Sequence, residues 1–453
     1  MVNLPSPPKL SKAIGPSFIL LGLALGSGEL IMWPYLSANY GLGLIWGAFL
    51  GITFQFFLNL EIMRYSLVWG ESVFVGFKRL SSFWPVWFIV STFVPWALPG
   101  FSSASAEITG KAFSFPETIF FPIAILVFTG LVLTLGRTLY KTMEKLQRTI
   151  IIAGLPLILF LVIVFSGLKD WQNLALGLIG KGEGWWFFPA GVGLASFLGA
   201  FAYSGAGGNL NLAQSYYVKE KGLAMGKYGA KITSIIKGKT AKAKLEGETF
   251  SLSPKNISCF SRWWRLVNLE HFLIFWLLGF LTIILLSVLA YTTVFGRAVE
   301  GGLSFLYQEG AVIGNWLGPK TGTAFLLVAA LMLYSTQLGV LESSSRIISE
   351  NLLLVTWKKG KRVNASLWFY LALWGQIGLG AVILLLGFKE PKFLLTLSAV
   401  LNALAMTVLF PLIWYLNRKR LDRKLQPLFW RQLILLVAFL FFVVFSLITL
   451  ISL

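Results

Sequence analysis

The sequence predicts an all-α integral membrane protein of eleven transmembrane helices. Three observations carry that prediction. Apolar stretches long enough to cross a bilayer recur from end to end, only 12% of the 453 residues are charged, and the basic residues fall in alternate connections. A crossing helix needs about 20 mostly apolar residues, and an ordinary soluble chain is about 25% charged. Mean hydropathy is +0.77. The chain therefore reads as one membrane domain, 1–453, with no room for a separate soluble one. The 39 Phe and 18 Trp fit lipid-facing surfaces and interfacial belts.

The spans are read at 15–37, 42–65, 84–108, 117–136, 149–167, 190–217, 270–294, 321–345, 367–388, 393–416 and 430–452. The start, MVNLPSPPKLSKA, is not signal-like, because Pro5, Pro7 and Pro8 precede a span of full length. The first span is interrupted near its middle by Gly26-Ser27-Gly28, with Glu29 directly after. The second carries Gln55 and ends on Glu61 and Arg64, which are expected to face inner headgroups. The third holds Ser102, Ser103 and Ser105, a packing run, and Glu107 near its outer end. The fourth is capped by Pro116 and ends at Gly136. The sixth contains GAFAYSGAGGNLNLAQSYY, residues 199–217. The seventh is a continuous apolar helix expected to be scaffold, with His271 at its start as interfacial packing. The eighth carries Ser335, Thr336, Gln337, Glu342 and Arg346. The ninth holds Gln376 and the tenth Asn402. Either reaches a central cavity or makes an interhelical hydrogen bond, worth roughly 1 kcal/mol. The eleventh has no polar centre and is expected to touch lipid.

Charge orients the spans. With the N-terminus in the cytoplasm, 31 of the 38 Lys and Arg residues lie in cytoplasmic segments. The opposite face has Lys111, Lys169, Lys181, Arg297, Lys320, Lys389 and Lys392. Retention of basic loops inside gives this asymmetry, and it accounts for the net charge of +20 without nucleic acid. The odd number of spans puts the C-terminus outside, in a multi-pass protein of a prokaryotic inner or plasma membrane. The longest connection, 219–265, mixes apolar and basic residues. It forms either short amphipathic helices on anionic lipids of the inner leaflet or a disordered basic linker.

Catalytic and cofactor chemistry finds little support. No GxxxxGK[ST] loop, HExxH pair or cysteine cluster occurs. The one cysteine, Cys259, excludes an intrachain disulfide and is expected in a polar loop. The chain is read as a transporter rather than an enzyme, with no cofactor beyond a bound divalent cation or coupling proton.

The first and sixth spans carry the polar centre. Gly205-Ala206-Gly207-Gly208 is a poor middle for a helix, and Asn209, Asn211 and Gln214 follow it. Lipid forbids unpaired backbone, so a break must be buried or line a cavity. An acid at bilayer depth needs protein, water or a cation. Small residues also permit close packing without transport. Two clusters, each opening a set of five spans and each followed by amide or carboxylate groups, point instead to a site between inverted repeats, 15–167 and 190–416, with 430–452 appended. Interrupted helices supply carbonyls, amides and dipole ends to a bound solute.

These residues resemble the Nramp family of divalent metal transporters, whose fold is of the leucine-transporter type within the APC superfamily. Gly-Pro opens the family's first helix, as Gly15-Pro16 does here. The family's Asp-Pro-Gly-Asn falls on Gly26-Ser27-Gly28-Glu29. Its Met-Pro-His-Asn followed by Leu-x-Leu falls on Ala206-Gly207-Gly208-Asn209 and Leu210-Asn211-Leu212. Weaker similarity covers 331–352. The departures matter. The metal-binding Asp falls on Gly26, the Asn on Glu29, the soft Met on Ala206 and the proton-handling His on Gly208, while Asn209 is retained. Without the thioether that favours transition metals, the resemblance implies a site rebuilt around Glu29 and Asn209 with carbonyls at 26 and 205–207.

Hard oxygen donors suit Mg²⁺ or Ca²⁺, and glycines at 26, 207 and 208 are expected to enlarge the cavity for a partly hydrated ion. The same space admits a small organic cation or amino acid, with Tyr203 as an aromatic wall. Gln55, Asn211, Gln337, Gln376 and Asn402 are the further candidate lining residues. Glu342 and Arg346, four apart on one helix face, form either an inner gate or a stabilising pair. Glu29 carries the cation or a coupling proton, since desolvation disfavours a charged carboxyl at that depth, or it is structural. The third reading is a membrane scaffold or receptor that kept the fold and lost the site.

Overall fold

The computed structural model describes residues 3–116, 118–135, 139–229, 243–297, 302–356 and 362–452. The expected ends of the fourth span, 117 and 136, and residues 230–242 of the basic connection lie outside these. Among the described residues, nine helices are long and apolar enough to cross a membrane. They are α1 (Pro16–Tyr40), α2 (Leu42–Trp69), α3 (Phe83–Phe113), α5 (Leu139–Phe165), α7 (Pro254–Val294), α8 (Pro319–Val355), α9 (Ala365–Leu385), α10 (Pro391–Arg420) and α11 (Phe429–Ile451). A shorter apolar helix, α4, covers Phe120–Leu135. The segment read as the sixth span is interrupted: α6a (Leu194–Ala202), an irregular stretch, a tight turn of helix over Gly208–Ala213, and α6b (Gln214–Lys221).

Burial orders these helices from centre to rim. The most apolar stretch of α1 is 94% buried, whereas that of α5 and of α11 is 28% buried. So α1 runs through the middle of the bundle, and α5 and α11 present their apolar residues to lipid, as expected for the last span. The second half of α3 begins afresh after Pro99, at Gly100.

The first span corrects the sequence reading. It is not broken at Gly26-Ser27-Gly28. The helix continues and widens to a π-helical path over Leu25–Met32. The cause is a side chain from α8. Thr336 Oγ1 accepts from Gly26 N–H at 2.8 Å and donates to the Gly22 carbonyl at 2.9 Å. An α-helical ladder would join those two groups directly, and insertion of a side chain into the ladder is a recognised origin of such distortion.

α7 is longer than predicted. It starts at Pro254 rather than 270, with Ser253 Oγ capping Asn256 N–H. Cys259 is therefore buried on a helix, not in a polar loop. His271 is fully buried, not interfacial. It stacks on Phe275 at 4.6 Å, and its Nδ1 lies 2.7 Å from Ser17 Oγ. Its neighbour Glu270 caps α1, accepting from the N–H groups of Gly15 and Ser17 and from Ser17 Oγ at 2.6 Å. This satisfies helix-terminal donors that lipid could not.

Glu61 and Arg64 also differ from expectation. Both are buried. Arg64 Nε donates to Glu61 at 2.6 Å, and Arg431 of α11 donates to the same carboxylate at 2.9 Å. Arg64 lies 3.8 Å over the Trp264 ring. The pair is a joint between α2, α7 and α11. Two further helices, Leu168–Gly177 and Ser304–Leu317, occupy connections in which no element was expected.

Candidate functional site

The interruption between α6a and α6b is held by a side chain from α2. Gln55 Nε2 donates to the Ala202 carbonyl at 3.0 Å. Its Oε1 accepts from Gly207 N–H at 3.2 Å and Asn211 Nδ2 at 3.1 Å. One amide thus joins both edges of the break. Trp33 Nε1 of α1 donates to Ser204 Oγ at 2.9 Å. Backbone freed from the helix is paired by side chains, as an interrupted segment at membrane depth requires.

The glycines do not open space, as the sequence reading expected. They bring backbones together. A Cβ at Gly28 would fall on the Tyr203 carbonyl, so α1 touches the end of α6a there. A Cβ at Gly26 would meet Thr336 Oγ1 at 2.8 Å, one at Gly207 the Tyr203 ring at 2.6 Å, and one at Gly208 the Asn402 amide. Gly205 packs against Gln55 and Phe275, and Ala206 is 1% exposed.

Glu29 lies on the π-helical segment and is fully buried. Its Oε2 accepts a hydrogen bond from Thr282 of α7, and its Oε1 has no hydrogen-bond partner. Thr282 Oγ1 is also 2.8 Å from the Gly279 carbonyl. The helix expected to be scaffold therefore supplies the neighbour of the central acid. Asn209 turns the other way. Its Nδ2 donates to Ser91 Oγ at 2.8 Å and Thr92 Oγ1 at 3.0 Å on α3, and its Oδ1 has no partner. Glu29 thus engages α7 and Asn209 engages α3, and no hydrogen bond joins them among the described residues.

Three more buried amide oxygens near the break have no partner: Asn211 Oδ1, Gln214 Oε1 and Asn402 Oδ1. Asn402 Nδ2 donates to the Ser398 carbonyl at 2.9 Å and to Tyr203 OH at 3.3 Å. Tyr203 OH donates to Ser398 Oγ at 2.8 Å, and its ring stacks on Trp96 at 5.7 Å. The Asn402 amide and the Tyr203–Trp96 stack thus meet beside Gly207 and Gly208. No cluster of three His, Cys, Asp or Glu occurs among the described residues, so a metal here would rest on one carboxylate with amide and carbonyl oxygens.

Two candidates lie elsewhere. Gln337 Oε1 accepts from Ser102 N–H at 3.0 Å and so caps the second half of α3. Gln376 exchanges hydrogen bonds with Ser344 of α8 at 2.7 and 2.9 Å, the interhelical alternative. Sequence reasoning missed Thr282 as a partner of Glu29 and Thr336 as the wedge in α1. Neither has a local signal, because each acts across more than two hundred residues of chain.

At the end of α8 that the charge pattern assigns to the cytoplasm, Arg346 is fully buried between Glu342 and Glu220 and donates to both. Tyr217 OH donates to Glu342 Oε2 at 2.9 Å. The expected pair is thus one part of a network that fastens α6b to α8. On the same side, Lys221 of α6b pairs with Glu144 of α5 at 2.7 Å.

Comparison with known proteins agrees in fold. A variant of the Eremococcus coleocola manganese transporter superposes with a TM-score of 0.73 at 13% identity, covering 100% of this chain and 89% of that one. The same transporter in complex with an aromatic bis-isothiourea substituted compound gives 0.71 at 14% identity, over 100% and 89%. MhsT in complex with L-phenylalanine gives 0.51 at 12% identity, over 96% and 98%. No protein-family model and no curated protein matches the sequence. The overall fold is the one implied by the resemblance to the Nramp family. At these identities the likeness is one of fold.

Proposed function

We propose that this protein is a secondary transporter of the Nramp type that moves a small cation by alternating access. In this reading the chain crosses the membrane eleven times, and residues 15–167 and 190–416 form two inverted repeats of five helices, with the last helix appended. The N-terminus is cytoplasmic. One observation carries the reading: a fully buried carboxylate, Glu29, lies on a widened turn of the central helix with one oxygen unpaired. Such a turn is frequent at functional sites, and an acid at that depth marks an ion or proton pathway by default.

Glu29 binds the cation or the coupling proton. Asn209 Oδ1, Asn402 Oδ1 and carbonyls of the Tyr203–Gly207 stretch are the remaining donors, all hard oxygens that suit Mg²⁺ or Ca²⁺. Glu29 and Asn209 approach a common ligand when Asn209 leaves Ser91 and Thr92. The network of Arg346, Glu342, Glu220 and Tyr217 serves as the inner gate, because α6b must part from α8 for the site to open inward. Replacing Glu29 with Gln should abolish cation-dependent uptake in proteoliposomes. Unchanged uptake with unchanged pH dependence removes the role given to that carboxylate.

A second reading has its own observation. The stack of Tyr203 on Trp96 beside the break suits the face of a small organic cation, for which aromatic rings are common partners. Its ammonium would pair with Glu29. Competition of small amines with the inorganic cation for uptake separates the two.

A further inference from the structure

We propose that α5 carries a docking site for the headgroup of an anionic phospholipid, formed by Lys141, Lys145 and Arg148. The three side chains are exposed on one helix. No ion pair or hydrogen bond engages them among the described residues. The one acid in the same turn, Glu144, is spent on Lys221 at 2.7 Å. Three cations thus stand on the helix surface around a single acid, Glu144, whose charge is already matched by Lys221.

What lies below them identifies the partner. Ile152, Leu159 and Ile163 are exposed at 53%, 45% and 68%. At 100° per residue, positions 141, 145, 148, 152, 159 and 163 fall within a sector about 60° wide. The basic and apolar residues therefore share one stripe. At 1.5 Å per residue, Ile152 lies roughly 6 Å beyond Arg148 and Leu159 roughly 16 Å beyond it, so the stripe runs through a leaflet of about 15 Å to the bilayer midplane. A phosphate at the three cations places its acyl chain along these side chains. A soluble anion would use the cations and leave the apolar stripe idle. General retention of basic loops inside requires no such alignment.

The site is distinct from any transported solute, so its test uses binding to the full-length protein in detergent. Palmitoyl-oleoyl phosphatidylglycerol should raise the thermal midpoint and remain as adducts in native mass spectrometry. The zwitterionic phosphatidylcholine and free glycerol phosphate should do neither. The K141Q/K145Q/R148Q variant should keep its lipid-free midpoint and lose at least tenfold in apparent affinity for phosphatidylglycerol. K141R/K145R/R148K should retain binding. A control, K255Q/R262Q/R265Q, removes three exposed cations from α7 and should leave the α5 adducts in place. Equal loss in both neutralised variants would reduce the effect to bulk attraction and overturn the site. So would retention in the first variant, or protection by glycerol phosphate alone.

Discussion

Gly28 offers a sharp test of how the central contact is built. A Cβ there would land on the carbonyl of Tyr203 and 3.1 Å from Ser204 N. Those atoms are backbone and cannot swing aside. Tyr203 is pinned through its hydroxyl by Ser398 at 2.8 Å, and Gln55 holds Ala202 and Gly207 on either side. Overpacking a well-filled interior costs about 1–3 kcal/mol. The usual gain of Gly→Ala in a helix, about 0.5–1 kcal/mol, offsets only part of this. A Cβ that falls on a backbone oxygen puts the cost at the upper end of that range, so Gly28→Ala should destabilise by about 2 kcal/mol net. Gly375 of α9 is the matched control, since nothing lies within 4 Å of a Cβ there. Gly375→Ala should be neutral or stabilising by up to about 1 kcal/mol. Both are read by unfolding of the purified variants in one detergent. A Gly28→Ala protein as stable as wild type would refute the close approach of α1 to the end of α6a.

Three further outcomes follow from the same geometry. Thr336→Val removes the hydroxyl between Gly26 N–H and the Gly22 carbonyl. Either α1 relaxes to an α-helical ladder or two groups stay unpaired at about 1–3 kcal/mol each. The first outcome displaces Glu29 and should lower uptake, the second should lower the unfolding midpoint, and a variant with both at wild-type values would count against the wedge. Arg346→Met strands two buried carboxylates and should cost about 3–5 kcal/mol. Adding Glu220→Gln and Glu342→Gln should restore most of that stability, and a triple variant no better than the single one would exclude electrostatics as the cause. Calorimetric titration should detect Mg²⁺ or Ca²⁺ more readily than Mn²⁺, because no thioether stands at Ala206. A clear preference for Mn²⁺ or Cd²⁺ would reverse the argument from hard oxygen donors.

Hydropathy made the long helices legible because every crossing helix must be apolar over its length. The break after Ala202 was legible too, since Gly205 to Gly208 offer little helix propensity. The path of α1 was not. Gly26-Ser27-Gly28 reads the same whether a helix unwinds or widens, and the decision lies with Thr336, more than three hundred residues away. The glycines were legible as special and misread in purpose. From sequence Gly26, Gly207 and Gly208 look like space, whereas each turns out to be a close contact. Glu61 and Arg64 looked interfacial because their partner Arg431 belongs to the last helix. The start of α7 was hidden by its polarity: Arg262, Arg265 and Asn268 interrupt the apolar signal, although Trp263 and Val267 are buried. The features that set the third reading, a scaffold without a working site, are divided. α1 is continuous and Glu29 has a partner in Thr282, yet α6 is interrupted and Glu29 keeps an unpaired oxygen.

The central claim is that the carboxyl of Glu29 meets the transported ion or its coupling proton. Infrared difference spectra, recorded on the reconstituted protein as Mg²⁺ or Ca²⁺ is added, address that carboxyl itself. The account predicts a carboxyl band that changes with saturable dependence on the cation and is missing from the Glu29→Gln protein. Cation-induced spectra identical in the two proteins would contradict it.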